Sequence, residues 1–225
     1  MALDPTTIVQ RNALFRGLGA DALAEIVALS TRRSYEPGAV VFLRGDPGDA
    51  LYGVITGKVR ISVSGAGGKE VFLNIMEPGD SFGEIALLDG QPRTASATAI
   101  TQTELLVIQR ESFVALLRKE VSLALHLIKL LCQRARWTAE MMEDSALLGV
   151  PARLAKRLLS LAALHGRAVE GGGTRLALSQ EELAQFLGLS RQIVNQHLQT
   201  WRAKGWISLG RGSVTIANER ALRNV

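Results

Sequence analysis

Between Ser81 and Ala95 the chain reads Ser-Phe-Gly-Glu-Ile-Ala-Leu-Leu-Asp-Gly-Gln-Pro-Arg-Thr-Ala, and these residue types suit the capture of a small anion. Gly83 has no Cβ, so a ligand can approach its backbone. Glu84 offers a carboxylate that accepts hydrogen bonds from a sugar hydroxyl. The apolar run from Ile85 through Ala86 to Leu88 is long enough for one helical turn, whose first N–H groups favour an anion. Asp89-Gly90-Gln91-Pro92 is a turn. The chain then returns with Arg93, whose planar fork suits a phosphate, and Thr94 adds a hydroxyl beside it. The plainer alternative is a strand, a turn and a strand, with Glu84 and Arg93 as a surface ion pair.

The whole set, F-G-E-x-A-L and then P-R-x-A after a short gap, resembles the phosphate-binding cassette of cyclic-nucleotide-binding domains. The likeness extends over nearly the whole chain and points to the CRP/FNR family of bacterial transcription regulators. It implies an α+β chain with an N-terminal β jelly-roll domain over residues 1–120. A dimerisation helix and hinge over 121–149 and a winged helix-turn-helix domain over 150–225 complete it. By this resemblance Gly83, the Ile85 and Ala86 backbone, Arg93 and Thr94 hold a cyclic phosphate, and Glu84 holds the ribose 2′-hydroxyl. The base meets Thr138 and, across a dimer, Ala139 of the partner subunit. Arg134 either faces this pocket or lies on the surface. The cAMP-activated type carries a serine where Ala139 stands here, so one base contact is missing, while Thr94 could bond a guanine amino group. The expected ligand is cAMP, with cGMP as the alternative. A vestigial cassette that binds nothing is the remaining reading within the family.

Composition restricts the class further. A chain of 225 residues, 47% hydrophobic, has the size of one or two globular domains. No run of about 18 apolar residues occurs, so no membrane partner is expected. The first ten residues have neither a basic start nor an apolar core, which argues for a cytoplasmic location. The single cysteine, Cys132, makes no internal disulfide and no iron–sulfur cluster, which needs about four thiolates. His126, His165 and His197 are scattered without metal-ligand spacing, so no metal site is expected. No catalytic set is expected either: no nucleophile motif occurs, and no histidine lies near Glu84 in sequence to act with it as acid and base. The charge is uneven. Residues 150–225 hold eleven Lys+Arg against four Asp+Glu, whereas residues 1–149 hold fifteen against seventeen. A basic C-terminal third on a mildly acidic body suits a nucleic-acid-binding module.

The elements that must position these residues follow from periodicity. Residues 6–33 carry a helical pattern, as two short helices. From residue 35 to 108 the period changes to two, with Pro-Gly and other glycine turns, among them 65–68, between short strands; this is the pattern of a sandwich or roll. Strands are expected at 40–43, 51–55, 59–63, 71–75, 95–99 and 104–108. A short helix over 110–119 is followed by about 28 residues without Pro or Gly from Val121 to Leu148, roughly 40 Å of helix. Its apolar row of Leu123, Leu127, Leu130, Leu131, Ala135, Thr138 and Met142 recurs at steps of three and four, as a dimer seam does. Gly149-Val150-Pro151 is the candidate hinge, followed by a helix to His165, a glycine loop at 171–173 and a short strand over 174–178.

Ser179 and Glu182 have the spacing of a capping box, and Ser190 caps the next helix. L-A-x-x-L-G-L-S-R resembles a helix-turn-helix. On its second helix Val194, Leu198 and Trp201 share an apolar face. Arg191, Gln192, Asn195 and Gln196 project from the other and can reach base edges in a major groove. Ser179, Ser190, Arg202, Lys204 and Arg211 are candidates for DNA phosphate contacts, which set register rather than sequence. His197 is expected to pack against the first helix. The hairpin around Gly-Arg-Gly at 210–212 reads as the wing. Double-stranded DNA with a two-fold symmetric operator, a second copy of the chain and RNA polymerase are the expected partners. In many family members a glutamate stands in place of Gln192 and an arginine in place of Gln196, so the usual family target sequence does not transfer.

Overall fold

The computed structural model describes residues 5–65, 70–170 and 172–225. It divides into two units, one of Met1–Val63 with Leu73–Arg136, the other of Ser64–Phe72 with Trp137–Val225. No helix among the described residues is long and apolar enough to cross a membrane. The turn expected at 65–68 and the first glycine of the 171–173 loop involve residues outside those described.

The first unit opens with two helices, α1 (Pro5–Arg11) and α2 (Ala20–Leu29). α2 buries Ala22, Leu23 and Ile26, one face of a helix. The helical pattern predicted to residue 33 ends early, because β1 (Ser30–Tyr35) begins where Ser30 becomes extended. β1 carries four exposed residues in a row, so no alternation marks it; what makes it a strand is a continuous antiparallel ladder from Ser30↔Ile108 to Tyr35↔Thr103.

The strands that follow are β2 (Val40–Phe42), β3 (Ala50–Thr56), β4 (Val59–Ser64), β5 (Glu70–Met76), β6 (Ser81–Phe82), β7 (Ser96–Ala99) and β8 (Thr103–Gln109). They form two four-stranded sheets, ordered β1-β8-β3-β6 and β2-β7-β4-β5, the two halves of a roll. β3 shows how the roll is filled. Its Ala50, Tyr52 and Val54 enter a cluster with Phe82, Leu105 and Val107. Leu51, on the opposite face, joins a cluster with Ile26, Leu106 and Phe113. Successive side chains of a strand face opposite ways, so this central strand is buried on both sides. Helices α3 (Glu84–Asp89), between β6 and β7, and α4 (Arg110–Lys119) flank the strands.

α5 (Val121–Leu147) is the long helix. Of the predicted seam, Ala135, Thr138 and Met142 are exposed, but Leu123, Leu127, Leu130 and Leu131 are not a free face. Leu123 and Leu127 are buried in the same cluster as Phe15 and Leu116, and Leu130 and Leu131 pack against it. A second row is exposed instead: Val121, Leu125, Ile128, Cys132, Ala135, Ala139 and Met142, at alternating steps of four and three. Both rows fit a heptad spacing, and only the fold separates them.

The second unit contains α6 (Val150–His165), β9 (Arg167–Ala168), β10 (Thr174–Leu176), α7 (Gln180–Leu187), α8 (Arg191–Ala203), β11 (Ile207–Gly210), β12 (Ser213–Ile216) and α9 (Glu219–Arg223). Its sheet runs β11-β12-β10-β9. Pro151 sits in the first turn of α6, where its missing N–H costs nothing. Phe72 meets the Phe186 ring edge-on, 5.5 Å between centroids at 89°.

One buried polar residue ties the start of the chain to β6. Asn12 Oδ1 accepts from the Leu14 N–H (3.0 Å) and the Ser81 hydroxyl (2.8 Å), and Nδ2 donates to the Asp80 carbonyl (3.2 Å). Replacing it by an apolar side chain strands these partners in the interior, where each lost hydrogen bond costs about 1–3 kcal/mol. Asn12→Leu is therefore expected to lower the unfolding temperature of the first unit in scanning calorimetry; an unaltered transition would refute the tie.

Candidate functional site

The stretch from Ser81 to Arg93 folds into a short strand, a tight turn, one short helix and a return loop. β6 pairs with β3 through Tyr52↔Phe82 and Gly53↔Ser81. Gly83 then turns left-handed, φ 86°, and starts α3. The position requires glycine twice over: its φ is one that L side chains rarely adopt, and a Cβ there would lie 2.8 Å from Arg93 Nη1. Gly90, also left-handed, ends α3 with its N–H on the Ala86 carbonyl. The Asp89 carboxylate accepts from the Gln91 N–H (2.9 Å) and closes the turn. The return loop is pinned by the Arg93 N–H on the Asp46 carbonyl (2.8 Å) and the Gly45 N–H on the Arg93 carbonyl (2.9 Å). Gly48 touches α3 so closely that an added Cβ would stand 2.4 Å from the Ala86 backbone.

Arg93 is 3% exposed. Its guanidinium donates to the carbonyls of Gly83 (2.6 Å) and Ala50 (2.9 Å) and meets the Asp49 carboxylate at 3.2 Å. Its guanidinium carbon lies 4.3 Å from the Phe42 centroid, within range of a cation–π contact. Glu84 is 0% exposed. Its Oε1 accepts from Arg134 Nη1, and Arg134 Nη2 donates to the Ser81 carbonyl at 2.5 Å. Glu84 and Arg93 therefore pair with other residues, and the surface ion pair between them is ruled out. Two buried atoms of this cluster, Glu84 Oε2 and Arg93 Nε, find no hydrogen-bond partner among the described residues.

The first unit thus gathers Gly83, Glu84, Ala86, Arg93 and Arg134. Ile85 and Thr94 are exposed beside them. Thr138 and Ala139 are exposed positions of α5 that belong to the second unit. Asp49, Ser81, Phe42 and Tyr52 were not singled out from sequence, although all four surround the two charges. Burial and the neighbouring Asp49 carboxylate raise the Tyr52 pKa above its ordinary value. Asp49 lies in a run, Asp-Pro-Gly-Asp, that reads as nothing more than a turn.

In the second unit the capping box is complete: the Ser179 hydroxyl accepts from the Glu182 N–H (3.1 Å), and the Glu182 carboxylate accepts from the Ser179 N–H (2.7 Å). The Ser190 hydroxyl accepts from the Ile193 N–H (3.4 Å). Val194, Leu198 and Trp201 anchor α8 in the core. Arg191, Gln192 and Gln196 are exposed, and Asn195 is half-buried, its side-chain Oδ1 accepting from Gln199 Nε2 (3.2 Å). His197 lies 6.5 Å from the Trp201 ring, centroid to centroid. Arg202 donates to Gln199 (3.3 Å), and the Lys204 ammonium sits 4.6 Å from the Trp206 centroid. Arg211 stands exposed at the tip of the β11–β12 hairpin, where Gly212 adopts φ 64°. An open cleft of about 330 Å³ runs between Ser179, Arg191 and the hairpin glycines.

Comparison with known proteins gives this geometry a class. Residues 32–120 match the cyclic nucleotide-binding domain and residues 152–225 the Crp-like helix-turn-helix domain, which together define a DNA-binding transcription regulator with a cyclic-nucleotide-binding domain. A CRP-like cAMP-activated global transcriptional regulator of Mycobacterium tuberculosis is 37% identical over 217 residues, 96% of each chain. The catabolite activator protein of Thermus thermophilus is 34% identical with a TM-score of 0.57, covering 95% of this chain and 97% of that one. The c-di-GMP responsive global regulator CLP of Xanthomonas campestris is 27% identical with a TM-score of 0.78, covering 88% and 99%. The chain belongs to the CRP/FNR family of transcription regulators.

A buried carboxylate deprived of its cation is costly, about 3–5 kcal/mol where the pair is fully enclosed and less here, because Arg134 is 28% exposed. Arg134→Met should therefore destabilise the first unit, and adding Glu84→Gln, which removes the charge, should recover part of the loss. Calorimetry of the single and double variants measures this coupling; strictly additive losses would show that the pair is not the stabilising element.

Proposed function

We propose that the chain is a homodimeric transcription regulator of the cytoplasm whose affinity for a two-fold symmetric operator is set by cAMP. The observation that carries this reading is the pair of buried polar atoms without partners among the described residues, Glu84 Oε2 and Arg93 Nε. Unpaired buried polar groups are rare, and one acceptor and one donor in the same cluster match a sugar hydroxyl and a phosphate. Gly83, the Ile85 and Ala86 backbone, Arg93 and Thr94 take the phosphate in this reading, Glu84 and Arg134 the ribose side, and Thr138 with the partner subunit's Ala139 the base. cGMP is the second reading, favoured by the exposed Thr94 hydroxyl next to Arg93. The domains divide as roll 1–120, dimer helix and hinge 121–149, and DNA reader 150–225.

The exposed α5 row from Val121 to Met142 serves as the dimer seam. Arg191, Gln192, Asn195 and Gln196 read bases. Arg202, Lys204 and Arg211 meet phosphates, with Ser179 and Ser190 contributing at helix N-termini. Two such heads read half-sites one helical turn apart, about 34 Å. Control is a population shift: the ligand engages Glu84, to which Arg134 of α5 is paired, and so favours one placement of that helix. A differential affinity of a few kcal/mol suffices. RNA polymerase is the further partner that such a regulator implies.

The reading is tested by calorimetric titration with cAMP, cGMP and c-di-GMP, together with operator affinity measured on duplexes selected from a random-sequence pool. The expected result is cAMP binding that tightens operator binding. Arg93→Lys keeps the charge but loses the planar fork, so it should weaken cAMP at least about tenfold. No heat with any of the three nucleotides, together with unchanged operator binding, would make the chain a ligand-independent DNA binder.

A further inference from the structure

Arg157 is a cation placed among aromatic rings. It lies on α6, 8% exposed, with its guanidinium carbon 5.4 Å from the Trp137 centroid and 4.9 Å from the Phe186 centroid. Its Nη1 donates to the Met141 sulfur at 3.6 Å. Burial pushes its pKa down to about 10, with the Asp144 carboxylate acting in the opposite sense. Asp144 itself accepts from the Lys156 ammonium at 2.5 Å. The C-terminal part of α5, α6 and α7 thus meet at one side chain. Trp137 and Met141 come from α5, Arg157 from α6, and Phe186 from α7, the first helix of the helix-turn-helix.

Stability alone does not explain a cation here. Hydrocarbon of similar shape in such a place is commonly neutral or stabilising. A guanidinium adds direction: it is drawn to ring faces and holds them at a set distance, whereas apolar contacts let neighbours slide. The ring on α5 that it grips lies three residues beyond Arg134, the residue bonded to Glu84. We propose that Arg157 is a positioning residue that fixes α7 to the C-terminal part of α5, so that a displacement of α5 is delivered to the helix-turn-helix. This rests on the ligand-controlled reading above; the tie between α5 and α7 does not.

The test uses full-length protein, the selected operator duplex and cAMP. Arg157→Met, close in shape and uncharged, should keep cAMP affinity within about twofold and unfold at or above the wild-type temperature. It should lose at least about tenfold of the cAMP-dependent gain in operator affinity, and Arg157→Lys should restore part of that gain. Hydrogen exchange of the Gln180–Leu187 amides, measured without ligand, should be at least about tenfold faster in Arg157→Met. An unchanged gain, or equal loss of operator affinity with and without cAMP, overturns the delivery role. Unchanged exchange overturns the tie itself. If the wild type shows no cAMP gain, the ligand-controlled reading fails instead, and the exchange measurement still decides the tie.

Discussion

A carboxylate with no exposure to water must be compensated from inside the protein, and at Glu84 the compensating charge comes from α5. The cost of burying an ion is several kcal/mol, so the cassette and the long helix are thermodynamically dependent on each other. Arg93 presents the same demand nearby. Two carbonyls, the Asp49 carboxylate and an aromatic face meet it, while Nε is buried without a hydrogen-bond partner among the described residues. Both charges are thus held in place by the protein before any ligand is considered. That is the condition for a site to recognise an anion without first reorganising its own side chains.

What the sequence disclosed follows from how local each feature is. The cassette is contiguous, and its glycine, carboxylate and arginine could be read at their spacing. The helix-turn-helix is likewise local, with capping box, turn glycine and Ser190 cap all lying within a dozen residues. The Glu84–Arg134 pair spans 50 residues and the Arg93–Asp49 contact 44, and nothing in either segment names its partner. β1 was missed because an exposed edge strand has no alternation to display, and its ladder partner lies more than 60 residues away.

The long helix shows a subtler limit. Periodicity said that α5 has an apolar face, and it has two. Leu123, Leu127 and Leu130 lie at steps of four and three, and so do Val121, Leu125 and Ile128. A heptad count cannot say which row meets its own chain and which is left for another. The answer comes from Phe15, Phe113 and Leu116, which occupy the first row and leave the second exposed. The serine caps carry a related lesson: the Ser179 and Ser190 hydroxyls accept bonds from their own helices. Any phosphate they touch must be bonded by the hydroxyl proton, not by displacing the cap.

The inward row of α5 also bears on how one helix could serve both stability and the control proposed for it. After Leu123, Leu127 and Leu130, the next position at the same spacing is Arg134, so the apolar row ends in a charge. Beyond it, at steps of three and four, come Trp137 and Met141, which contact Arg157. Leucines tolerate a small slide of the helix, because dispersion contacts are many and individually weak. Arg134 does not, because Nη1 donates to Glu84 and Nη2 to the Ser81 carbonyl, both in fixed directions. Arg157 does not either, because it is held between two rings. Under the ligand control proposed above, a helix with a slippery apolar stretch and two directional grips would take few positions rather than a continuum, as a two-state regulator requires.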